Sequence, residues 1–182
     1  MNHLGTKRME TDRLILRPFV KEDAEAMYRN WASDPEVTKF LSWPYYRSVD
    51  TAHEILEIWT KQYEDKTFYQ WAIELKELGE PIGSISVVNH DDRLEMAEIG
   101  FCIGKSWWGR GIMTEAMRAV MDYLFDEVDV QRIEAGHDPR NPASGAVQRK
   151  CGLKYEGTFR RRIISNQGAT DVCWYGILKE DR

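Results

Sequence analysis

Cysteine is scarce in this 182-residue chain: Cys102, Cys151 and Cys173 are an odd number, and none forms a Cys-x-x-Cys pair. That argues against a disulfide framework or a structural zinc site and for a reducing compartment. No apolar run approaches the ~18 residues that a membrane-spanning helix needs. The opening Met1-Asn2-His3-Leu4-Gly5-Thr6-Lys7-Arg8 has no apolar stretch after its charges, unlike a secretory signal. The expectation is a cytoplasmic protein with no membrane partner. Stretches rich in proline, glycine or serine are missing, and so are internal repeats. Residues 1–182 therefore read as one domain, with 1–10 as a flexible lead-in. An excess of positive charge is missing too. The net charge of −5 gives no reason to expect nucleic acid, and the run Arg160-Arg161-Arg162 lacks interleaved aromatics, as a solvated strand edge would.

What is present is a globular balance, 42% apolar and 30% charged, in which a sizeable core is affordable. The charge is unevenly placed. Asp50 to Glu98 holds 12 acidic and 4 basic residues, a net of −8, whereas Gly145 to Arg182 holds 8 basic and 4 acidic, a net of +4. Such a split suits an anionic cosubstrate and a cationic acceptor, and equally suits solvated charged faces.

Apolar clustering marks a first strand at 13–19 and a helix at 21–32, with Ala24, Met27, Tyr28 and Trp31 at helical spacing. Asp34-Pro35-Glu36 opens a short helix, because proline suits a first turn, and Ser48 caps another running to about Asp65. Strands follow at 68–75 and 81–88 with Gly79 between them. Asn89-His90-Asp91-Asp92 then reads as a turn before a strand at 95–103. The clearest helix is 109–125, where Ile112, Met113, Ala116, Met117, Val120, Met121 and Leu124 make one stripe. A strand at 131–136, a helix at 143–150 and strands at 153–164 and 170–178 complete a mixed α/β plan. Two parallel strands joined through a crossover helix are implied in the second half.

The informative segment is Trp108-Gly109-Arg110-Gly111-Ile112-Met113-Thr114-Glu115-Ala116, where a strand passes through a glycine-bearing turn straight into the long helix. A helix start leaves N–H groups unpartnered and carries partial positive charge, and glycines let a large anion come close. The segment suits phosphate or pyrophosphate; a plain tight turn reads the same way. It lacks the Gly-Lys-Ser/Thr of a nucleotide-triphosphate loop and the third glycine of a dinucleotide fold.

The segment resembles the acyl-coenzyme A loop of the GNAT superfamily of N-acyltransferases, with Trp108 and Met113 departing from the general pattern Gln/Arg-x-x-Gly-x-Gly/Ala. Three further motifs resemble the branch of ribosomal-protein N-terminal (alanine/serine) acetyltransferases. They are Thr11-Asp12-Arg13-Leu14-Ile15-Leu16-Arg17, then Ile133-Glu134-Ala135 followed by Asn141-Pro142-Ala143-Ser144, and Lys150-Cys151-Gly152-Leu153. The resemblance implies a mostly antiparallel sheet with one splayed parallel pair, flanked by helices. It implies acetyl-CoA as cosubstrate, no metal, and an amine-bearing acceptor, with a homodimer left open.

By the same resemblance, the amides of Trp108, Gly109, Arg110, Gly111, Ile112, Met113 and Thr114 hold the pyrophosphate. Phe101, Cys102 and Ile103 pair with the pantetheine arm, and one of their N–H groups polarises the thioester carbonyl. Asn141 bonds the pantetheine amide, and Arg110 and Lys150 are candidates for the outer phosphates. The family's usual tyrosine acid is replaced by Gln148, which cannot serve; Ser144 is the nearest hydroxyl, and reads as acid, as helix cap or as a coenzyme A contact. Glu98 is the first candidate base, with His137 as a proton relay. No carboxylate lies in 160–164, where some ribosomal-protein acetyltransferases carry one. Trp43, Pro44, Tyr45 and Tyr46 read either as a wall of the acceptor site or as a plug under a loop. An acyl-CoA-sensing module without turnover stands as the alternative to an enzyme.

Overall fold

The computed structural model describes residues 1–182. Its sheet contains β1 (Met9–Glu10), β2 (Leu14–Pro18), β3 (Gln70–Leu75), β4 (Glu80–Asp91), β5 (Met96–Ile103), β6 (Arg132–His137), β7 (Lys154–Ser165) and β8 (Gly168–Leu178). The strands lie in the order β1-β2-β3-β4-β5-β6-β8-β7. Every neighbouring pair is antiparallel except β5–β6, which the crossover helix α4 (Ile112–Asp126) makes parallel. The other helices are α1 (Ala24–Met27), α2 (Pro35–Thr38), α3 (Val49–Gln62) and α5 (Pro142–Lys150).

Alternation along the strands feeds two cores, one on each face of the sheet. The larger joins Leu14, Leu16, Ile73, Ile85, Ile99 and Ile133 to the α4 stripe, so α4 is fixed in place by burial. The smaller sets Phe19, Met27, Trp31 and Leu56 from α1, α3 and their flanking segments against Ala72.

Three departures from the sequence reading have local causes. The helix expected over 21–32 is a 3-10 turn at Lys21–Asp23, then α1, then a π turn at Tyr28–Ala32. The widened turn accompanies anchoring of Asn30, whose Nδ2 donates to the Pro81 carbonyl at 2.8 Å and to Glu80 Oε1 at 3.2 Å. The turn expected at 89–92 lies later, because Asn89, His90 and Asp91 still pair with Glu98, Ala97 and Met96. The Asp91 carboxylate closes it by accepting from the N–H groups of Arg93 and Leu94. Residues 1–10, expected as a flexible lead-in, are instead pinned: the Met1 amine meets Glu95, Asn2 N–H donates to the Val128 carbonyl, and Leu4 N–H donates to Tyr69.

One irregularity positions everything that follows. The parallel ladder between β5 and β6 runs only from Met96↔Arg132 to Glu98↔Glu134. A bulge in β4 between Val87 and Asn89 falls opposite Ile99 and Glu98, the point where β5 leaves β6. A bulge bends and twists its strand. From Ile99 onward β5 is paired with β4 alone.

Candidate active site

The splay opens into a cavity of about 420 Å³. One wall is the freed part of β5, from Ile99 to Ile103; another is the α4 turn, including Trp108, Gly109, Gly111, Ile112, Met113 and Thr114. The third is the end of β6 and the start of α5, with His137, Asn141, Ser144, Val147 and Lys150.

The α4 start has the features of an anion site. Gly109 and Gly111 both sit at positive φ, 71° and 73°, where a side chain is strained. Gly111 holds the N-cap position and no side chain caps the helix. The Trp108 N–H, expected among the anion-binding amides, instead donates to the Lys105 carbonyl at 3.2 Å. The N–H groups from Gly109 to Thr114 find no acceptor within the protein, so the partial positive charge of the helix start is uncompensated. The carboxylate of Glu115, in the same turn, is turned away. It accepts from Thr11 Oγ1 (2.6 Å), from Arg13 N–H (2.9 Å) and from Arg13 Nε (2.7 Å), while Arg13 Nη1 donates to the Arg110 carbonyl at 2.9 Å. The opening Thr-x-Arg motif is thus tied to the turn it helps to shape. Arg110 itself is exposed and does not line the cavity, whereas Lys150 does.

The freed edge of β5 presents backbone groups to the cavity beside Phe101, Cys102 and Ile103. The Trp108 indole N–H donates to the Ile103 carbonyl at 2.8 Å, closing the end of that edge. Cys102 packs toward the smaller core and lies 3.4 Å from Ser84 Oγ; burial pushes its thiol pKa up, so it is no thiolate nucleophile.

Asn141 caps α5, its Oδ1 accepting weakly from Ser144 N–H at 3.5 Å. The Ser144 hydroxyl makes no hydrogen bond within the protein and faces the cavity. Gln148, standing where the family's tyrosine is expected, is fully buried and its Oε1 lies 3.1 Å from His137 Nδ1. Burial lowers the His137 pKa, although the Gln148 contact opposes it, so the ring lines the cavity as neutral imidazole.

Glu98 is not among the cavity-lining residues. It projects from the sheet face opposite α4, between Asn89 on β4 and Glu134 on β6, at the last rung before the splay. Burial raises its pKa above the ordinary 4.5, and the neighbouring Glu134 carboxylate adds to the shift. His137 continues the core-facing row of Ile133 and Ala135, so Glu98 and His137 lie on opposite faces of the sheet.

The sequence reading missed several lining residues. Val37, Phe40 and Leu41 form an apolar wall, whereas Trp43 and Tyr46, their rings 5.3 Å apart, pack against the smaller core and Tyr45 is exposed. Asn166, at the tip of the β7–β8 hairpin, holds this segment. Its N–H donates to the Leu41 carbonyl, and its Nδ2 to the carbonyls of Thr38 and Trp43 at 2.8 and 2.7 Å. Asp138 also lines the cavity; hydrogen bonds from Arg140, aided by Thr170, hold its pKa down to about 2. Its position directly after His137, at the end of a strand, was the available signal. The run Arg160–Arg162 forms a bulge on the edge strand β7, with Arg161 N–H donating to Asp171.

An unpaired strand edge, a row of free amides and a largely apolar cavity together suit an extended chain with amides along it and a pyrophosphate at one end. Coenzyme A has that shape. Residues 13–154 match the family model described as the acetyltransferase (GNAT) domain. The chain belongs to this family and is an acetyl-CoA-dependent N-acetyltransferase. The uncharacterized N-acetyltransferase YoaA of Bacillus subtilis (strain 168) is 32% identical over 171 residues, 94% of this chain and 96% of its own. A solved structure of RimL, a ribosomal L7/L12 alpha-N-protein acetyltransferase in complex with coenzyme A, matches with a TM-score of 0.84 at 20% identity, over 97% of this chain and 100% of that one. The Microcin C7 self immunity acetyltransferase MccE, in complex with acetyl-CoA and AMP, gives a TM-score of 0.83 at 21% identity, over 92% of this chain and 93% of that one. At these identities the two structures speak for the fold, and the motif-based resemblance is borne out at the level of the family.

Proposed function

We propose that the chain moves an acetyl group from acetyl-CoA to a primary amine by direct attack within a ternary complex. The acceptor is a protein or peptide N-terminus or a small amine. One observation carries the reading: the α4 turn, whose amides from Gly109 to Thr114 have no partner in the protein, and the unpaired β5 edge meet around a single cavity.

The amides of the α4 turn bind the pyrophosphate, and Lys150 and Arg110 screen the outer phosphates. The edge at Phe101–Ile103 receives the pantetheine amides, and one N–H there stabilises charge developing on the thioester carbonyl oxygen. Asn141 Nδ2 supports the same arm. Ser144 supplies a proton toward the departing sulfur, and neutral His137, on that side of the sheet, serves as relay. Glu98 takes the proton of the incoming ammonium. Its raised pKa is the useful direction, because a base works best when its pKa approaches the working pH. The base step outweighs the acid step: a thiol with a pKa of about 8.5 leaves with little help at neutral pH, whereas an amine with a pKa of about 10.4 must first lose its proton.

The test is thiol release from acetyl-CoA across a panel of small amines and N-terminal peptides, followed by pH–rate profiles of variants with the best acceptor. Glu98→Gln is expected to lower kcat by about 10²–10⁴-fold, and Ser144→Ala by less. Because Glu98 acts when ionised, the wild-type rate should rise with pH through a value above 4.5, and that limb should vanish in Glu98→Gln. With an α-amino acceptor, whose pKa is about 7.7, the Glu98 effect shrinks. Tight acetyl-CoA binding without thiol release on any amine would favour the sensing module instead.

A further inference from the structure

At the turn between β4 and β5, outside the cavity lining, three side chains from separate segments converge. His3 comes from the pinned N-terminal segment, His90 from the end of β4, and Asp92 from the turn that leads into β5. A single oxygen, Asp92 Oδ1, lies 2.9 Å from His3 Nε2 and 3.2 Å from His90 Nδ1, and the three ligand atoms all lie within 4.8 Å of one another. Donor atoms around a tetrahedral zinc ion, with bonds of about 2.0–2.1 Å, are spaced by roughly 3.3 Å. The cluster therefore needs only a small adjustment to surround one ion.

We propose that His3, His90 and Asp92 bind one divalent transition-metal ion of the zinc type, which staples the N-terminal segment to the β4–β5 turn. Two imidazoles and one carboxylate suit Zn²⁺ and its first-row neighbours, whereas Mg²⁺ and Ca²⁺ favour all-oxygen shells. The His3 ring has a partner on its other nitrogen: Nδ1 lies 2.9 Å from the hydroxyl of Tyr69, a residue only 2% exposed. With an ion on Nε2 in place of the proton now shared with Asp92, Nδ1–H would donate to that hydroxyl, which orients the ring. The backbone on both sides of His3 is held, by Asn2 N–H on the Val128 carbonyl and Leu4 N–H on Tyr69, so the ring costs little to order. Asp92 is exposed and leaves water room to complete the shell. None of the three residues lines the cavity, and His90 pairs with Ala97, whose side chain enters the larger core on the face opposite Glu98, so the expected effect of the ion is on stability. The inference stands whether or not the proposed acceptor chemistry holds.

The experiment is titration of Zn²⁺ into the tag-free, chelator-washed full chain by calorimetry, with thermal melts in parallel. One ion per chain is expected, with a Tm that rises on addition and falls back with EDTA. His90→Ala and Asp92→Asn, both at accessible positions, should each weaken binding at least tenfold while leaving the metal-free Tm nearly unchanged. Tyr69→Phe should weaken it by about 10–100-fold, the usual effect of removing the partner behind a histidine ligand. Co²⁺ substitution separates this site from the three cysteines: weak visible absorption means nitrogen and oxygen ligands, and a strong near-ultraviolet thiolate band would overturn the assignment. No saturable binding, or binding unchanged in the His90→Ala chain, would overturn it as well.

Discussion

Helices α3 and α4 are nearly equal in length, 14 and 15 residues, yet they begin in opposite ways. At α3, extended Ser48 accepts the N–H of Asp50 on its hydroxyl at 3.1 Å, and the acidic side chain of Asp50 sits in the first turn. At α4, a left-handed glycine takes the cap position and offers nothing. The first arrangement stabilises the helix from its own sequence and leaves no positive end for a ligand. The second gives up roughly the 1 kcal/mol of a good cap and keeps an anion site open. Even the acid in the first turn of α4 conforms, because Thr11 and Arg13 engage the Glu115 carboxylate that would otherwise repel a phosphate.

The sharpest way to break this contrast is Gly111→Asp, which gives α4 the closed, acidic start of α3. A charge at a helix start is worth up to about 2 kcal/mol, so acetyl-CoA affinity by calorimetry should fall roughly 30-fold or more in a folded protein. Glu115→Gln comes next and sharpens the comparison by its sign. Were Glu115 only a nearby acid, its removal would tighten acetyl-CoA binding. As the latch that holds Arg13 against the Arg110 carbonyl, its loss should weaken binding about tenfold, the worth of one charge-assisted hydrogen bond. Asn141→Ala tests a helix between the two extremes, capped by a residue that also faces the cavity. Affinity should drop by about 0.5–1.5 kcal/mol and Tm should fall with it. The smallest expected effect on affinity is none: Ser48→Ala should cost about 1 kcal/mol in urea-unfolding stability and leave the KM for acetyl-CoA where it was.

Those features of the fold that are local in the chain were legible before any coordinates. The α4 stripe, Pro35 in a first turn, the Ser48 cap and the Gly109–Gly111 turn each follow from a few adjacent residues. What stayed hidden depends on contacts between distant ones. Glu115 reads as an ordinary surface acid until Thr11 and Arg13, about a hundred positions earlier, are placed beside it. The extension of β4 through Asn89–Asp91 is set by pairing with β5, which outweighs the turn preference of asparagine and aspartate. In the site, the amide-bearing turn and the α5 start were readable from motifs. Val37, Phe40 and Leu41 were not, because nothing in their order distinguishes a cavity wall from a core. Glu98 was picked as the candidate base by its place in the strand; its closeness to Glu134, which adds to its pKa shift, follows from the parallel register alone.

The three hydrogen bonds of Asn166 have a mechanical meaning. They fasten the segment around Thr38, Leu41 and Trp43 to the far end of the hairpin formed by the two strands at the sheet's edge. At about 1 kcal/mol each, they make separate motion of the two parts costly. The apolar wall at Val37, Phe40 and Leu41 is therefore tied to the tip of the outer hairpin. A change that loosens the tip of that hairpin should loosen this wall of the cavity as well, without touching any residue that lines it.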